Sequence, residues 1–380
     1  MFHLLKKTYN TSILNDMSPQ EQKEYVKTIS PQSTLGKLIY NHYYIDKPHP
    51  RYIAGPKTLT LHKSEEYSMT VYIFGETHLR TTDCPGMESI PESTMWIEDF
   101  LNELFNSTDV FIDIYFEFLF PEGIEKYPRW QWDDLRLTRL YQTFSSLRGN
   151  GNNLIRLHYF DVRTGLKVTN EISYFEKDVY DLVMSGREDD LNVLLDKPYM
   201  KYILQFITTN SLTTFWHDQL EHNPKVVKEL NRSFLGWKIR QFIYTLMDTK
   251  LESVGQDMLQ TIDIINDSLS SKVVQSQALL KFYYICIPIN ATITDAYTLS
   301  RMFKNFSKKN IYNSPKKPYN VIIYGGDGHA YIYRTFLTWL QFTNHGEIKR
   351  GHYNSCIDLK EFPMPFFNSF PIKKNSCIIL

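Results

Sequence analysis

The stretch VYIFGETH, residues 71–78, decides the reading of this chain, and VIIYGGDGH, residues 321–329, is its counterpart near the other end. In both, four apolar β-branched or aromatic residues run straight into glycine, and a histidine follows three residues after a glycine. A short continuous run of this composition predicts a strand buried on both faces, the mark of a parallel sheet. Glycine directly after such a strand lets the chain turn sharply with unusual dihedrals. A histidine three residues on can then point back over the sheet edge.

Working outward, strands and helices alternate. Strands are expected at 57–62 and 68–74, around the charged turn KSEEY, and then at 110–116, 154–160 and 321–324. Helical spacing of apolar residues covers 93–106 and 135–147, and five further segments lie between 172 and 312: 174–184, 191–207, 226–247, 258–269 and 273–284. A last helix is expected over 330–342. Such alternation implies βαβ crossovers. The expected fold class is therefore α/β: a mainly parallel sheet flanked by helices, with a large helical insertion before the last strand. The expected organisation is an N-terminal helix and hairpin extension (1–66), an α/β core (67–345) with its insertion at 172–312, and an irregular tail (346–380).

Lys+Arg 42 balance Asp+Glu 42 across 380 residues, so the formal net charge is zero. Nucleic-acid binding without sequence preference needs many cations facing phosphates, so no nucleic-acid partner is expected. Hydrophobic content of 42% and charged content of 22% exclude a wholly disordered chain. Aromatics stand out, with 26 Tyr, 24 Phe and 6 Trp; dense packing, an adhesive surface and codon bias would each produce that excess. Cys84, Cys286, Cys356 and Cys377 lie far apart without a CxxC, so neither zinc-ribbon nor disulfide-framework spacing is present. The opening MFHLLKKTYN lacks the apolar core of a secretory signal. The longest apolar run, VFIDIYFEFLF (110–120), is broken by Asp113 and Glu117, so no membrane span is expected.

The chain ends Cys377-Ile378-Ile379-Leu380, a C-a-a-X form whose leucine reads as geranylgeranylation of Cys377. Lys373 and Lys374 just upstream supply the second, basic signal that a single lipid chain needs. A buried apolar tail is the other reading of these residues. Prenylation implies a protein on the cytosolic face of membranes in a eukaryotic cell, or one made by a virus growing there, with the membrane surface as partner.

In an open α/β sheet, ligands bind beyond the carboxyl ends of the strands. The residues there are Gly75-Glu76-Thr77-His78, then Glu117, then Asp161 in HYFDVR (158–163), then Gly326-Asp327-Gly328-His329. Two imidazoles and two carboxylates can bind a divalent metal and leave a position open for water. One imidazole paired with a carboxylate can instead act as general base on water. The candidate catalytic residues are His78, Glu117, His329, Glu76 and Asp161, and the candidate metal ligands are His78, Glu117 and His329. Asp113, four residues before Glu117 and so on the same strand face, competes with it; position at the strand end favours Glu117. Asp161 is either a site residue or a helix cap, and Arg163 can neutralise it. His158, inside a strand, reads as a core histidine. RMFKNFSKKN (301–310) and PKKPYN (315–320) form a basic patch that is either a solvated face or one that meets acidic lipids.

GETH and GDGH resemble the two Gly-x-x-His motifs of the TraB/TIKI family, which belongs to a wider group with ChaN-like and erythromycin-esterase-like proteins. In that family a Glu closes the next strand in a Phe-Glu context, matched by Glu117 in YFEF (115–118). An Arg on a late helix precedes the last strand, matched by Arg301 in DAYTLSRMFK (295–304). The resemblance spans roughly 68–345, in short patches. It implies an α/β fold and a site built on His78, Glu117, Arg301 and His329. Arg301 would hold a substrate carboxylate or phosphate, or steady an oxyanion; failing that, it pairs with Asp295 or another acid. Members of the group include metal-dependent proteases, ester hydrolases acting on macrolides, and haem or iron binders. The expectation is a hydrolase of unnamed substrate, with a divalent metal as possible cofactor. Glu76 stands where TraB/TIKI proteins commonly carry Thr, which is closer to the esterase-like side. In general style the chain is also similar to proteins of large DNA viruses of eukaryotes.

Overall fold

In the computed structural model the described residues are 50–77, 84, 94–108, 110–119, 140, 154–162, 171–306, 314–349, 355–364 and 366–367. Their strands, in chain order, are β1 (Tyr52–Ala54), β2 (Thr58–Ser64), β3 (Met69–Glu76), β4 (Thr94–Trp96), β5 (Ile112–Leu119), β6 (Ile155–Asp161), β7 (Asn320–Gly326), β8 (Thr343–Lys349) and β9 (Cys356–Asp358). Six of them form one sheet in the order β6-β5-β7-β3-β2-β8. The pairs β6/β5, β5/β7 and β7/β3 are parallel; β2 runs antiparallel to both β3 and β8. The remaining three pair as β4-β1-β9. The chain is an α/β protein with a mostly parallel sheet, as its apolar runs imply.

The chain lays down β3, β5 and β6 in turn, then returns to insert β7 between β3 and β5. The carboxyl ends of β5 and β7 therefore sit where the connections diverge, the place where open α/β sheets bind ligands. Helix α1 (Ile97–Ser107) covers one face: Ile97, Phe100, Leu101 and Phe105 pack with Phe74, Ile114, Phe116 and Tyr324. Alternation along each strand sends the intervening side chains, Val71, Ile73, Tyr115, Phe160, Val321 and Ile323, into the core on the opposite face.

That opposite core is supplied by the helical region. It comprises α2 (Glu171–Met184), a 3-10 helix (Glu188–Asp196), α3 (Pro198–Thr209), α4 (Leu212–Glu221), α5 (Pro224–Arg232), α6 (Gly236–Asn266) and α7 (Lys272–Met302), followed after β7 by α8 (Asp327–Trp339). Side-chain caps fix several starts: Ser211, Asn223 and Ser271 accept from the backbone N–H three residues on. The segments expected at 226–247 and 258–269 prove to be α5 and one continuous α6. The apolar stripe Ile243, Met247, Leu251, Met258, Ile262 carries α6 through its polar middle. Helix α7 runs on to Met302, well past 284. Its second half is buried on every side, so no amphipathic period survives there to be read. Pro288 inside α7 takes its N–H from the helix ladder, and Lys250 of α6 reaches across to donate to the Pro288 carbonyl at 2.5 Å.

The tail expected to be irregular from 346 begins inside β8. This strand, TNHGEIK, carries no apolar alternation; it forms through backbone pairing with β2 and sits at the sheet edge, where charge is favoured. Cys84 and Cys356 are joined in a disulfide across 272 residues of sequence, a pairing that their spacing did not signal. Among the described residues no helix is long and apolar enough to cross a membrane.

Candidate functional site

The two Gly-x-x-His motifs begin side by side. Parallel pairing of β3 and β7 sets Gly75 opposite Gly325 and Glu76 opposite Gly326. Both strands extend to these residues, so Gly75, Glu76 and Gly325 belong to the sheet rather than to turns beyond it. The requirement for glycine is steric. A Cβ on Gly325 would lie 2.9 Å from a Glu117 carboxylate oxygen and from the Phe160 ring. A Cβ on Gly75 would meet Asp327 and Thr58. Each glycine thus makes room for a polar side chain on the helical face of the sheet. The Asp327 side chain at the start of α8 is held there by Thr58 Oγ1 at 2.6 Å and Arg334 Nη2 at 3.2 Å.

His329 lies in the first turn of α8 and is buried. Its Nδ1 donates to Asp295 Oδ1 at 2.6 Å, and its Nε2 faces Glu117 Oε1 at 3.4 Å. The other Glu117 oxygen accepts the N–H of Gly326, the residue preceding α8, so the carboxylate also sits at a helix N-terminus. The phenol of Tyr333, one turn further along α8, lies beside Asp295 and Thr298. Burial disfavours the charged imidazole, but Asp295 and then Glu117 outweigh it and raise the His329 pKa to about 10. Both ring nitrogens therefore carry protons in the metal-free protein at neutral pH. Phe160, edge-on at 6.0 Å between centroids, packs against the imidazole.

Asp295 is the member of this cluster that sequence reasoning did not place. From sequence it is a candidate only as a partner for Arg301. Its signal was present, since Asp295 is the one charged residue between Lys281 and Arg301. A lone acid in a helix that is otherwise apolar or hydroxyl-bearing needs a buried partner.

The other candidates separate. Glu76 is buried and accepts from the phenol of Tyr324 at 2.5 Å; Tyr324 belongs to the α1 face, opposite the face on which Glu117 meets His329. Asp161 ends β6, on the far side of β5 from β7, and its charge acts on Tyr180 of α2. Arg301 is drawn into a second buried network. His158 Nε2 donates to Asp113 Oδ1 at 2.7 Å, while His158 Nδ1 accepts from Arg301 Nη2 at 2.9 Å. Arg156 grips the same Asp113 with two bonds, at 2.5 and 3.0 Å. Arg301 also pairs with Glu229 at 3.7 Å, where Lys304 binds as well. Burial, aided by Arg301 and Arg156 against the pull of Asp113, lowers the His158 pKa to about 4. His158 is thus a neutral core histidine with both nitrogens satisfied. Asp113 does share a face with Glu117, but its carboxylate is engaged by Arg156 and His158. His78 and Cys377 lie outside the described residues, as do the segments that follow β5 and β6.

As a metal centre, the described part supplies two donors that face one another, Glu117 and His329 Nε2. The third carboxylate, Asp295, is on the opposite ring nitrogen and fits the role of orienting a ligating imidazole. Among the described residues no group of three His, Cys, Asp or Glu side chains is disposed to hold an ion together; His78, the remaining ligand expected from the sequence, lies outside them. No family model, curated protein or solved structure matches this chain.

Proposed function

We propose that the chain is a hydrolase-like enzyme of the TraB/TIKI and erythromycin-esterase type, acting at the carboxyl edge of β5 and β7. The observation that carries this reading is the Asp295–His329–Glu117 line, a histidine fixed from behind by one buried acid and presented to another. Asp295 holds the ring and its tautomer. Glu117, level with Gly325, takes the proton from an attacking water or positions that water. His329 in its charged form donates to developing negative charge, and the N–H groups that open α8 favour charge of the same sign. A divalent ion, when bound, would be held by Glu117 and His329 with His78 completing the set, and would supply an acidic water. Cys377, once prenylated, would tether the enzyme to cytosolic membrane surfaces. Arg301 is left out of the chemistry in this reading because His158 and Glu229 already engage it.

Calorimetric titration of the metal-free protein with Zn²⁺ or Mn²⁺ tests the metal-dependent form. One site is expected in the parent protein, weakened by roughly a hundredfold in Glu117→Gln and in His329→Asn, while the exposed His222→Ala leaves it unchanged. Equal binding in all four proteins removes Glu117 and His329 as ligands.

A non-catalytic protein that keeps the fold is the second reading. It is favoured by the burial of His329 and by a charge already balanced between two acids. On that reading Asp295→Asn costs stability and shifts the His329 pKa, with no turnover to lose.

A further inference from the structure

At the end of the sheet opposite His329, three segments are stitched into one surface. The Phe234 N–H donates to the Phe303 carbonyl at 2.9 Å, and the Phe306 N–H donates to the Lys316 carbonyl at 2.7 Å. The Tyr319 carbonyl accepts the Thr70 N–H at 2.7 Å, which fixes this surface at the starting ends of β3 and β7. Trp237 is 64% exposed there and Phe234 36%, with Arg232, Lys316, Lys317 and Tyr319 exposed beside them. Lysines cover the rings: Lys317 Nζ lies 4.8 Å from the Phe234 centroid and Lys238 Nζ 5.8 Å from that of Trp237. Glu229, the acid set into this surface, is buried and bound by Lys304 and Arg301. Glu65 and Glu66 stand at the rim, in the β2–β3 turn beside Tyr67, whose ring meets Phe303.

We propose that this face docks on an anionic lipid surface. Exposed indole and phenyl rings suit the headgroup level of a bilayer, where their apolar bodies leave water. Lysines around the rings are drawn to acidic headgroups, and the acid within the face is already neutralised. Unlike a flat protein interface, a bilayer needs no shape complement. Docking in this orientation turns the carboxyl edge of β5 and β7 away from the membrane, so the candidate site would take its substrate from the aqueous side. The face is a property of the folded body and does not depend on Cys377.

The test uses the full chain made in bacteria, which lack prenyl transferases, sedimented with vesicles of phosphatidylcholine alone or mixed with phosphatidylserine. Binding to the mixed vesicles is expected, with little to phosphatidylcholine alone, and it should fall steeply as salt rises. Lys316→Gln with Lys317→Gln should weaken it about thirtyfold, and Trp237→Ala about tenfold or more. These residues are exposed, so unchanged circular dichroism would establish that the variants fold. Leu269→Ser, at the exposed tip between α6 and α7, should change nothing. The proposal is overturned by absent binding, by equal binding to both vesicle types, by full binding in the variants, or by retention on immobilised polyglutamate in preference to vesicles. Because no prenyl group is present, each of these outcomes is distinct from failure of the Cys377 reading.

Discussion

At the scale of single residues, the candidate site depends on what glycine permits and on what Asp295 holds. Gly325→Ala places a methyl group against Glu117 and Phe160. The strand cannot move aside because β7 is paired on both edges, so the carboxylate must shift from His329. A loss of about 1–3 kcal/mol is expected in denaturant unfolding, with any activity falling further than stability does. Asp295→Asn removes the carboxylate that does most to raise His329. In the metal-free protein the His329 ring pKa, followed by NMR, should drop from about 10 towards or below the ordinary histidine value; a value that stays near 10 would assign the shift to Glu117 alone. The glycines, Glu117 and His329 were legible in the sequence because spacing after an apolar run announces them. Asp295 was not, because its partner lies 34 residues away and helical periodicity is silent about which neighbour a buried acid will meet.

At the scale of elements, parallel strands β3, β5 and β7 were readable as apolar runs and β6 from the turn-rich stretch RGNGNN (148–153) before it, while β8 and the second half of α7 were not. Strand β8 is set by backbone pairing at an edge, and α7 by burial on all sides; neither leaves a periodic trace. The β5–β6 pair also carries a device that motif reading would assign to function. Asp113, Arg156, His158 and Arg301 form a connected set of hydrogen bonds between two strands and the end of α7. Removing one partner leaves buried charge uncompensated, so Asp113→Ala should cost about 3–5 kcal/mol. Two buried histidines, one in this network and one in β2, set a pH dependence. His158 and His62 both have folded pKa values near 4, below the ordinary 6.5, because burial disfavours their charge. Their contribution is complete above about pH 6.5 and is lost as pH falls from there towards 4, where the unfolded chain binds the extra protons. Thermal midpoints should fall across that window, and less steeply in His62→Asn.

At the scale of the whole molecule, an α/β body with a disulfide is set beside the proposed prenylation of Cys377. Cys84 and Cys356 tie the chain beyond β3, whose last residues open the first Gly-x-x-His, to β9. Disulfides persist in oxidising compartments, whereas prenyl transfer takes place in the cytosol. Metabolic labelling with an isoprenoid analogue tests the cytosolic reading: label is expected in the parent protein and lost in Cys377→Ser, and an unlabelled parent protein removes prenylation from the account. The central claim is that water is activated where β5 and β7 end. Its most direct test is turnover by the full chain on a panel of ester and peptide substrates, with and without added divalent metal, compared with His78→Ala, Glu117→Gln and His329→Asn variants that retain the parent circular dichroism. The account predicts turnover in the parent protein that falls by two orders of magnitude or more, about the scale of a lost acid–base group, in each variant. Full activity in Glu117→Gln and His329→Asn would contradict it.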